Sequence, residues 1–227
     1  MSMRLFGPIL AGAELPQRLI GSVGALIGVA LTMVVCAQLP LTMADLPILA
    51  APIGSSAVLA FAVPASPLAQ PWPVVGGNIV SALVGVAAFN LVPSLPVAAG
   101  LAVGGAILAM SLLRCLHPPG GAAALTAVIG SHGVHAAGYA FAFAPVGINS
   151  IALVSLAMFF HGMTGRAYPH VRMLAAEDKA TASLHREDID AALADMHESF
   201  DIAREDLELL LTRAERHAIA RRGDTPR

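Results

Sequence analysis

Charged side chains are scarce in this 227-residue chain, and most of them lie at one end. The sequence has 13 Lys and Arg and 15 Asp and Glu, together 12% of its residues, whereas a soluble domain has about 25%. Residues 1–169 hold six of these charges and residues 170–227 hold the other 22, while apolar residues make up 56% of the chain. This imbalance excludes an ordinary soluble domain. It predicts a transmembrane domain over residues 1–169 and a charged tail in water over residues 170–227.

The sequence also has few cysteines and no strongly basic segment. The two cysteines, Cys36 and Cys115, both lie in apolar stretches, so we interpret them as small apolar side chains and not as a disulfide. The tail has 13 acidic and 9 basic residues, a balance that argues against nucleic acid as a partner. No P-loop, dinucleotide-binding glycine motif, HExxH motif or hydrolase nucleophile elbow occurs in the sequence. We therefore predict no enzyme activity, no cofactor and no metal site.

Four uncharged apolar stretches are long enough to cross a membrane, which takes about 20 mostly apolar residues. They cover residues 19–39, 74–92, 97–113 and 146–163. Glycine recurs in all four, and small residues let membrane helices approach closely. The sequence therefore predicts an all-α polytopic membrane protein, with short soluble helices in its C-terminal tail.

Two further apolar segments are too short for an ordinary span. Residues 46–63 read LPILAAPIGSSAVLAFAV and residues 117–130 read HPPGGAAALTAVIG. In each, proline close to glycine precedes a helix-forming run of about ten to twelve residues, which reaches about half of the hydrocarbon thickness. Proline suits the first turn of a helix, where its missing N–H has no effect. We predict half-length helices, or broken helices whose breaks lie inside the membrane.

The two short segments resemble each other, and so do the spans around them. Residues 52–59 and 118–125 match at four of eight positions with a constant offset of 66, and Val-Gly-x-Asn occurs at both 75–78 and 146–149. The order of span, Pro-Gly half-helix and span thus occurs twice. We predict a duplication, with repeat one at about 18–93 and repeat two at about 95–166. Chance similarity between segments rich in alanine and glycine is the alternative.

Paired interrupted segments in two halves are the best sequence indication of a transport site. Non-helical backbone at membrane depth is tolerated only where it is buried in protein or lines a polar cavity. A helix that begins there carries partial positive charge at its first amides and attracts an anion. We therefore predict a buried anion pocket between the helix N-termini near Gly54 and Gly120.

The residues predicted to bind the anion come from the two short segments and the spans beside them. His117 can donate a hydrogen bond or carry a proton, or it caps the preceding span; Arg114 pairs with the anion or lies at the membrane interface. The asparagine amides offer uncharged donors, with interhelical hydrogen bonding as the alternative, and the serines offer hydroxyls or cap a helix. The full set is Pro52, Gly54, Ser55, Ser56, Asn78, Arg114, His117, Pro118, Pro119, Gly120, Gly121 and Asn149.

The orientation follows from the arginines that flank the spans. Arg4 and Arg18 precede the first span, and Arg166 and Arg172 follow the last. The positive-inside rule then predicts that both ends are cytoplasmic, which requires an even number of crossings. Four crossings result if both half-helices re-enter, and six result if both broken segments cross, which would make the repeats inverted.

The HPPGG motif at residues 117–121 resembles the motif that gives the HPP family of small integral membrane proteins its name. The resemblance extends to PIGSSAVLAFAVPASPLAQP at residues 52–71 and to Gly77-Asn78, and it covers roughly residues 18–168. It implies four transmembrane helices and, by analogy with members in chloroplasts and cyanobacteria, transport of nitrite. Many bacterial members continue into a pair of CBS domains, whereas this sequence stops after a stretch similar to the linker before them. We therefore expect a bacterial inner-membrane protein without those domains, either a natural short form or a truncated one.

The charged tail has the apolar spacing of amphipathic helices. Apolar residues at steps of three and four, among them Ile189, Leu193, Met196 and Phe200, predict amphipathic helices with a break near Asp201. They can pack on each other, on a second copy in a homodimer, or under the membrane domain.

Anion uptake into a negative-inside cell favours a co-transported proton, with His117 as its first candidate carrier. A membrane-embedded anion sensor or scaffold without transport is the alternative function.

Overall fold

The computed structural model describes residues 15–38, 47–170, 185–196 and 201–223, and the regular structure within these ranges is helical throughout. Two compact units are present. One contains Leu68–Pro169 with the described residues up to Pro64, and the other contains Ala65–Pro67 with the described residues from His170 onward. Arg4 and Arg172, used above for the orientation, and Phe200 lie outside the described residues.

Four helical runs of the first unit are long and apolar enough to cross a membrane. They are α1 at Leu15–Ala37, α3 at Pro71–Leu91, α4 at Leu95–Leu112 and a composite run at Ala142–Met163. The composite run begins with a π-helical turn at Ala142–Gly147, which contains Pro145, and continues as α7 at Ile148–Met163. Each lies within about one helical turn of a predicted span, so the prediction of an all-α membrane protein with four spans is confirmed.

Two short helices begin at the prolines that the sequence singled out. Helix α2 covers Pro52–Ala62 and α5 covers Pro118–Ile129, which are 11 and 12 residues long. At about 1.5 Å per residue both are near half of the hydrocarbon thickness. The order long, short, long therefore occurs twice, but the second half also contains α6 at His132–Ala137 and the π-helical turn. The duplication itself stays a prediction.

Helix α3 lies at the centre of the first unit, and α5 packs against it at backbone distance. Half of the α3 span is buried, compared with 22% of the α4 span. Gly77, Ser81 and Gly85 follow each other at four-residue steps, so they share one face of α3. A Cβ atom at Gly85 would lie 2.8 Å from Ala124 Cα, and one at Gly77 would lie 2.7 Å from the Cβ of His117. Small residues on α3 thus fix the position of α5 and of the histidine before it.

The second unit contains α8 at Arg186–Met196 and α9 at Arg204–Gly223. Arg204 pairs with Asp190 and Glu208, and His170 lies 2.9 Å from Asp206. The predicted helices are present, with α9 beginning just after the predicted break at Asp201. Along the predicted stripe, Ile189 is buried and Leu193 is half-buried.

Candidate functional site

Four polar side chains meet in the interior of the first unit and form what we call the buried polar cluster: Ser56 of α2, Asn78 of α3, Ser150 of α7 and His117, the residue before α5. Each has 0% of its surface exposed. His117 Nε2 lies 2.8 Å from Ser56 Oγ. The amide nitrogen of Asn78 donates to Ser56 Oγ at 3.2 Å and to Ser150 Oγ at 3.1 Å. The cluster thus links the beginnings of both short helices to two of the long ones.

The hydrogen bonds of His117 define which ring nitrogen carries its proton. Nδ1 lies 2.9 Å from the carbonyl oxygen of Leu68, which can only accept, so Nδ1 is protonated. In the neutral ring, Nε2 therefore accepts from the Ser56 hydroxyl. In the charged ring, Nε2 donates, and the hydroxyl can turn to the carbonyl oxygen of Pro52 at 3.2 Å. The pair therefore has a complete hydrogen-bond arrangement in either protonation state.

The same accounting determines the orientation of the Asn78 amide. The Ser150 hydroxyl donates to the carbonyl oxygen of Val146 at 2.8 Å, and the Ser56 hydroxyl donates to His117 or to Pro52. Both serine oxygens consequently need a donor, and the NH₂ group of Asn78 supplies it. Asn78 Oδ1 therefore faces the other way.

Two buried oxygens of α3 are left without a hydrogen-bond partner. Within the part of the chain that the structure describes, neither Asn78 Oδ1 nor Ser81 Oγ is paired. Both side chains are fully buried, and they lie one helical turn apart on the same face of α3. Buried polar atoms are almost always paired, so these two neighbouring exceptions make this face of α3 the candidate site.

A turn before α3 holds His117 in position. The carbonyl oxygen of Leu68 accepts a hydrogen bond from His117 Nδ1. The carbonyl oxygen of the next residue, Ala69, accepts one from the hydroxyl of Tyr168 at 2.8 Å. Tyr168 is buried, and this burial raises the pKa of its hydroxyl, which keeps it a donor. The turn and the histidine therefore support each other.

The structure brings only some of the predicted residues to the cluster. Gly120 lies against it, because a Cβ atom there would be 2.5 Å from Ser81 Oγ. Pro52 contributes its carbonyl oxygen, and Pro119 is buried beside Gly120 whereas Gly121 is half-buried and packs toward Val103 of α4. The predicted residues that are exposed instead are Gly54, Ser55, Arg114 and Pro118. Arg114 adopts φ 54° in the connection between α4 and α5 and is not part of the cluster.

The glycine amides expected to bind the anion are already paired. Gly54 N–H donates to the carbonyl oxygen of Ala51 at 3.1 Å, and Gly120 N–H donates to that of His117 at 2.8 Å. Pro118 and Pro119 have no N–H at all. The expectation that the first amides of both short helices are free therefore does not hold, because tight turns satisfy them. Side chains are the groups left to meet a ligand.

Asn149 lies away from the cluster and has a different set of partners from Asn78. Its amide nitrogen donates to the carbonyl oxygen of Ile48 at 3.1 Å and to Cys36 Sγ at 3.0 Å, and its oxygen accepts from Ala50 N–H at 2.8 Å. These bonds fasten the non-helical residues before α2 to α7. The two asparagines share a sequence motif but not a role in the site.

We expect Asn149→Ala to lower the free energy of unfolding by roughly 1–3 kcal/mol. The substitution leaves the N–H of the buried Ala50 without its partner, and one unpaired buried group costs roughly that much. Thermal unfolding in detergent measures the effect. The matched control is Asn90→Ala in the last turn of α3, where the side chain is exposed. Equal unfolding temperatures for the two variants would contradict the structural role of Asn149.

Sequence reasoning missed Ser81 and Ser150. Ser81 stands in the pattern Gly77-x₃-Ser81-x₃-Gly85, and this four-residue spacing of small residues could have indicated the helix face that meets α5. Ser150 directly follows a predicted residue, but nothing in the local sequence distinguishes it from Ser155 one turn later. Its place in the cluster follows only from helix packing.

Comparison with known proteins identifies relatives of the membrane part. The family model described as "HPP, transmembrane region" matches residues 11–169. A transmembrane protein of Dictyostelium discoideum is 40% identical over 120 residues, which are 51% of this chain and 38% of that protein. A second transmembrane protein of the same organism is 36% identical over 131 residues, 56% of this chain and 46% of that protein. The chain thus matches less than half the length of either relative. No solved structure matches the chain.

Proposed function

The chain belongs to the HPP family of transmembrane proteins, and on that premise we propose that it carries a small inorganic anion, nitrite first, across a membrane through the buried polar cluster. The observation that supports this proposal is the placement of four fully buried polar side chains, with the unpaired oxygens of Asn78 and Ser81, between two helices long and apolar enough to cross a membrane and the starts of the two short helices. Polar groups inside a membrane protein are costly and are typically functional. Substrate sites of secondary transporters lie at such interruptions of the helices.

The charge balance of the cluster favours a proton as the companion of the anion. Its members are two serines, an asparagine and a histidine, so it has no fixed positive charge. A bare anion would lose its hydration without gaining a counter-charge in the cluster. Its entry into a negative-inside cell also costs about 2.3 kcal/mol per 100 mV for each uncompensated charge. One proton per anion removes both penalties.

We propose the bacterial inner membrane as the location, with both ends cytoplasmic. The shared side of the two ends is supported by a contact between Arg166, after α7, and the carbonyl oxygen of Gln17 in α1, at 3.4 Å. It brings the beginning of the first span and the end of the last one to the same side, which an even number of crossings requires. Arg18 and Arg166 give that side the positive charge typical of the cytoplasm.

We expect purified protein in liposomes to take up nitrite faster than empty liposomes do, and faster still with an inward proton gradient. Ser56→Ala removes the hydroxyl that joins His117 to Asn78, so it should slow uptake by about tenfold, the effect of losing roughly 1.4 kcal/mol of binding. The matched control is Ser155→Ala, an exposed serine of α7 whose hydroxyl also bonds the carbonyl four residues earlier.

Uptake equal to that of empty liposomes, with and without the gradient, would reject transport. Saturable nitrite binding without uptake would also reject it and would make the protein a membrane-embedded anion sensor or scaffold. A slow Ser56→Ala variant beside an unchanged Ser155→Ala variant would support passage through the cluster.

A further inference from the structure

We infer that the site takes its substrate as the neutral conjugate acid of a weak-acid oxyanion, with the acid's O–H donated to Asn78 Oδ1. This inference rests on the proposed function and specifies the chemical form in which the anion crosses. It follows from the two unpaired oxygens on α3, Asn78 Oδ1 and Ser81 Oγ. The proposed step makes and breaks no covalent bond within the protein, because the acid binds and leaves intact and loses its proton in water.

The unpaired oxygen of Asn78 calls for a ligand that donates a hydrogen bond. The NH₂ group of this amide is committed to Ser56 and Ser150, so the unpaired atom is an acceptor and not a donor. A bare oxyanion offers only acceptors and would place oxygen against oxygen. The conjugate acid has one O–H group, which pairs with Oδ1 and satisfies a buried atom that is otherwise unpaired.

Ser81 lies one turn further along the same face of α3 and offers a hydroxyl. Its hydroxyl proton can be donated to the second oxygen of the acid, so the two side chains together match one O–H and one neighbouring oxygen. Gly120 keeps this position small, since a Cβ atom there would be 2.5 Å from Ser81 Oγ and 2.9 Å from Met110 Sδ. We therefore expect the substrate to be an acid of only a few atoms, such as nitrous acid or formic acid.

The helices around the site carry no charged side chain. Helices α2, α3, α4, α5 and α7 contain no Asp, Glu, Lys or Arg. The titratable groups on these helices are His117 at the start of α5 and His161 of α7, which bonds the carbonyl oxygen of Ala60 at 2.8 Å. The connection to α5 adds the buried Cys115 and Arg114, whose side chain is exposed and not part of the cluster. A neutral ligand leaves His117 neutral and its bond to Ser56 unchanged. An uncharged interior is stabilised by an uncharged occupant.

The test compares anions of weak and strong acids in liposomes that contain the full chain. We expect nitrite and formate to enter with one proton each, read by an internal pH dye, and without change in a membrane-potential dye. Nitrate and chloride should stay at the rate of empty liposomes, because their acids are dissociated. Nitrite uptake that generates a potential without a proton, or nitrate uptake as fast as nitrite uptake, would overturn the inference while leaving transport intact. No uptake of any anion would overturn the proposed function, and this inference with it.

The Ser81→Ala variant distinguishes a role of this hydroxyl in substrate binding from a role in stability. The hydroxyl has no partner among the residues that the structure describes, so its removal should leave the unfolding temperature unchanged or raise it. Apparent affinity for nitrite should fall about three- to tenfold, the worth of one hydrogen bond, while Ser155→Ala keeps the affinity of the parent protein. An unchanged affinity in Ser81→Ala, with the fold intact, would overturn the assignment of this oxygen to the substrate.

Discussion

Replacing Gly85 with alanine is expected to force α5 away from α3 and to lower the free energy of unfolding by about 3 kcal/mol or more, the upper end of overpacking effects. The new Cβ atom would contact the carbonyl oxygen of Ala124 and lie 2.8 Å from its Cα and 2.9 Å from its carbonyl carbon. These are backbone atoms of α5, so no rotamer change relieves the contact. One of the two helices must move.

The matched control is Gly104→Ala on α4, where a Cβ atom would meet nothing within 4 Å. Alanine forms helices better than glycine, so this variant should unfold at the temperature of the parent or above it. Thermal unfolding in detergent, followed by circular dichroism, compares the two. A second substitution, Ala124→Gly, should not rescue Gly85→Ala, because the contact is with backbone. Equal stability of Gly85→Ala and Gly104→Ala would show that α3 and α5 are not packed at backbone distance.

The effect of Gly85 extends to the site because one face of α3 positions several parts of it. Gly77 lies against the backbone of Cys115 and the Cβ of His117, and Ser81 lies against Gly120. A displacement of α5 therefore moves the histidine away from Ser56. We expect Gly85→Ala to lose nitrite uptake together with stability, whereas Ser81→Ala loses only uptake.

The helices could be predicted from the sequence because their signals are local. A run of about 20 apolar residues indicates a span wherever it packs, and a proline in the first turn marks the beginning of a helix from its own covalent structure. The starts of α2 at Pro52 and α5 at Pro118 were found in this way. His117 and Ser56 are both among the predicted site residues, but their contact follows from the packing of the two short helices and was not predicted.

The partners of each polar group could not be predicted, because they depend on residues distant in the sequence. Asn78 and Asn149 stand in the same local motif, yet Asn149 is bound by the segment before α2, 99 residues away at Ala50. The first amides of both short helices were expected to meet the anion. The N–H groups of Gly54 and Gly120 instead donate to the carbonyl oxygens three residues earlier. Whether Ser81 has a partner is likewise a property of the packed interior and not of its neighbours in sequence.

Substitution of His117 by leucine is expected to abolish nitrite uptake and to lower the free energy of unfolding by roughly 1–3 kcal/mol, the net worth of two buried hydrogen bonds. The bonds lost are those of the fully buried ring to the carbonyl oxygen of Leu68 and to the hydroxyl of Ser56, which keeps Pro52 and Asn78 as partners. His132→Leu, at an exposed position on α6, is the matched control and should behave as the parent. Uptake by His117→Leu at the parent rate would exclude the cluster as the route.

His117→Gln then shows whether the histidine itself carries the proton. A glutamine amide can donate to the carbonyl oxygen of Leu68 and accept from Ser56, so it preserves both hydrogen bonds of the neutral ring, but it cannot take up a proton. If the substrate crosses as its conjugate acid, His117→Gln should keep part of the nitrite uptake and still admit one proton with each nitrite. If His117 carries the proton instead, the same variant would move nitrite without a proton and generate a membrane potential. No other side chain on α2, α3, α5 or α7 both titrates near neutral pH and contacts Ser56. The ratio of protons to nitrite in this variant therefore assigns the proton either to the substrate or to the protein.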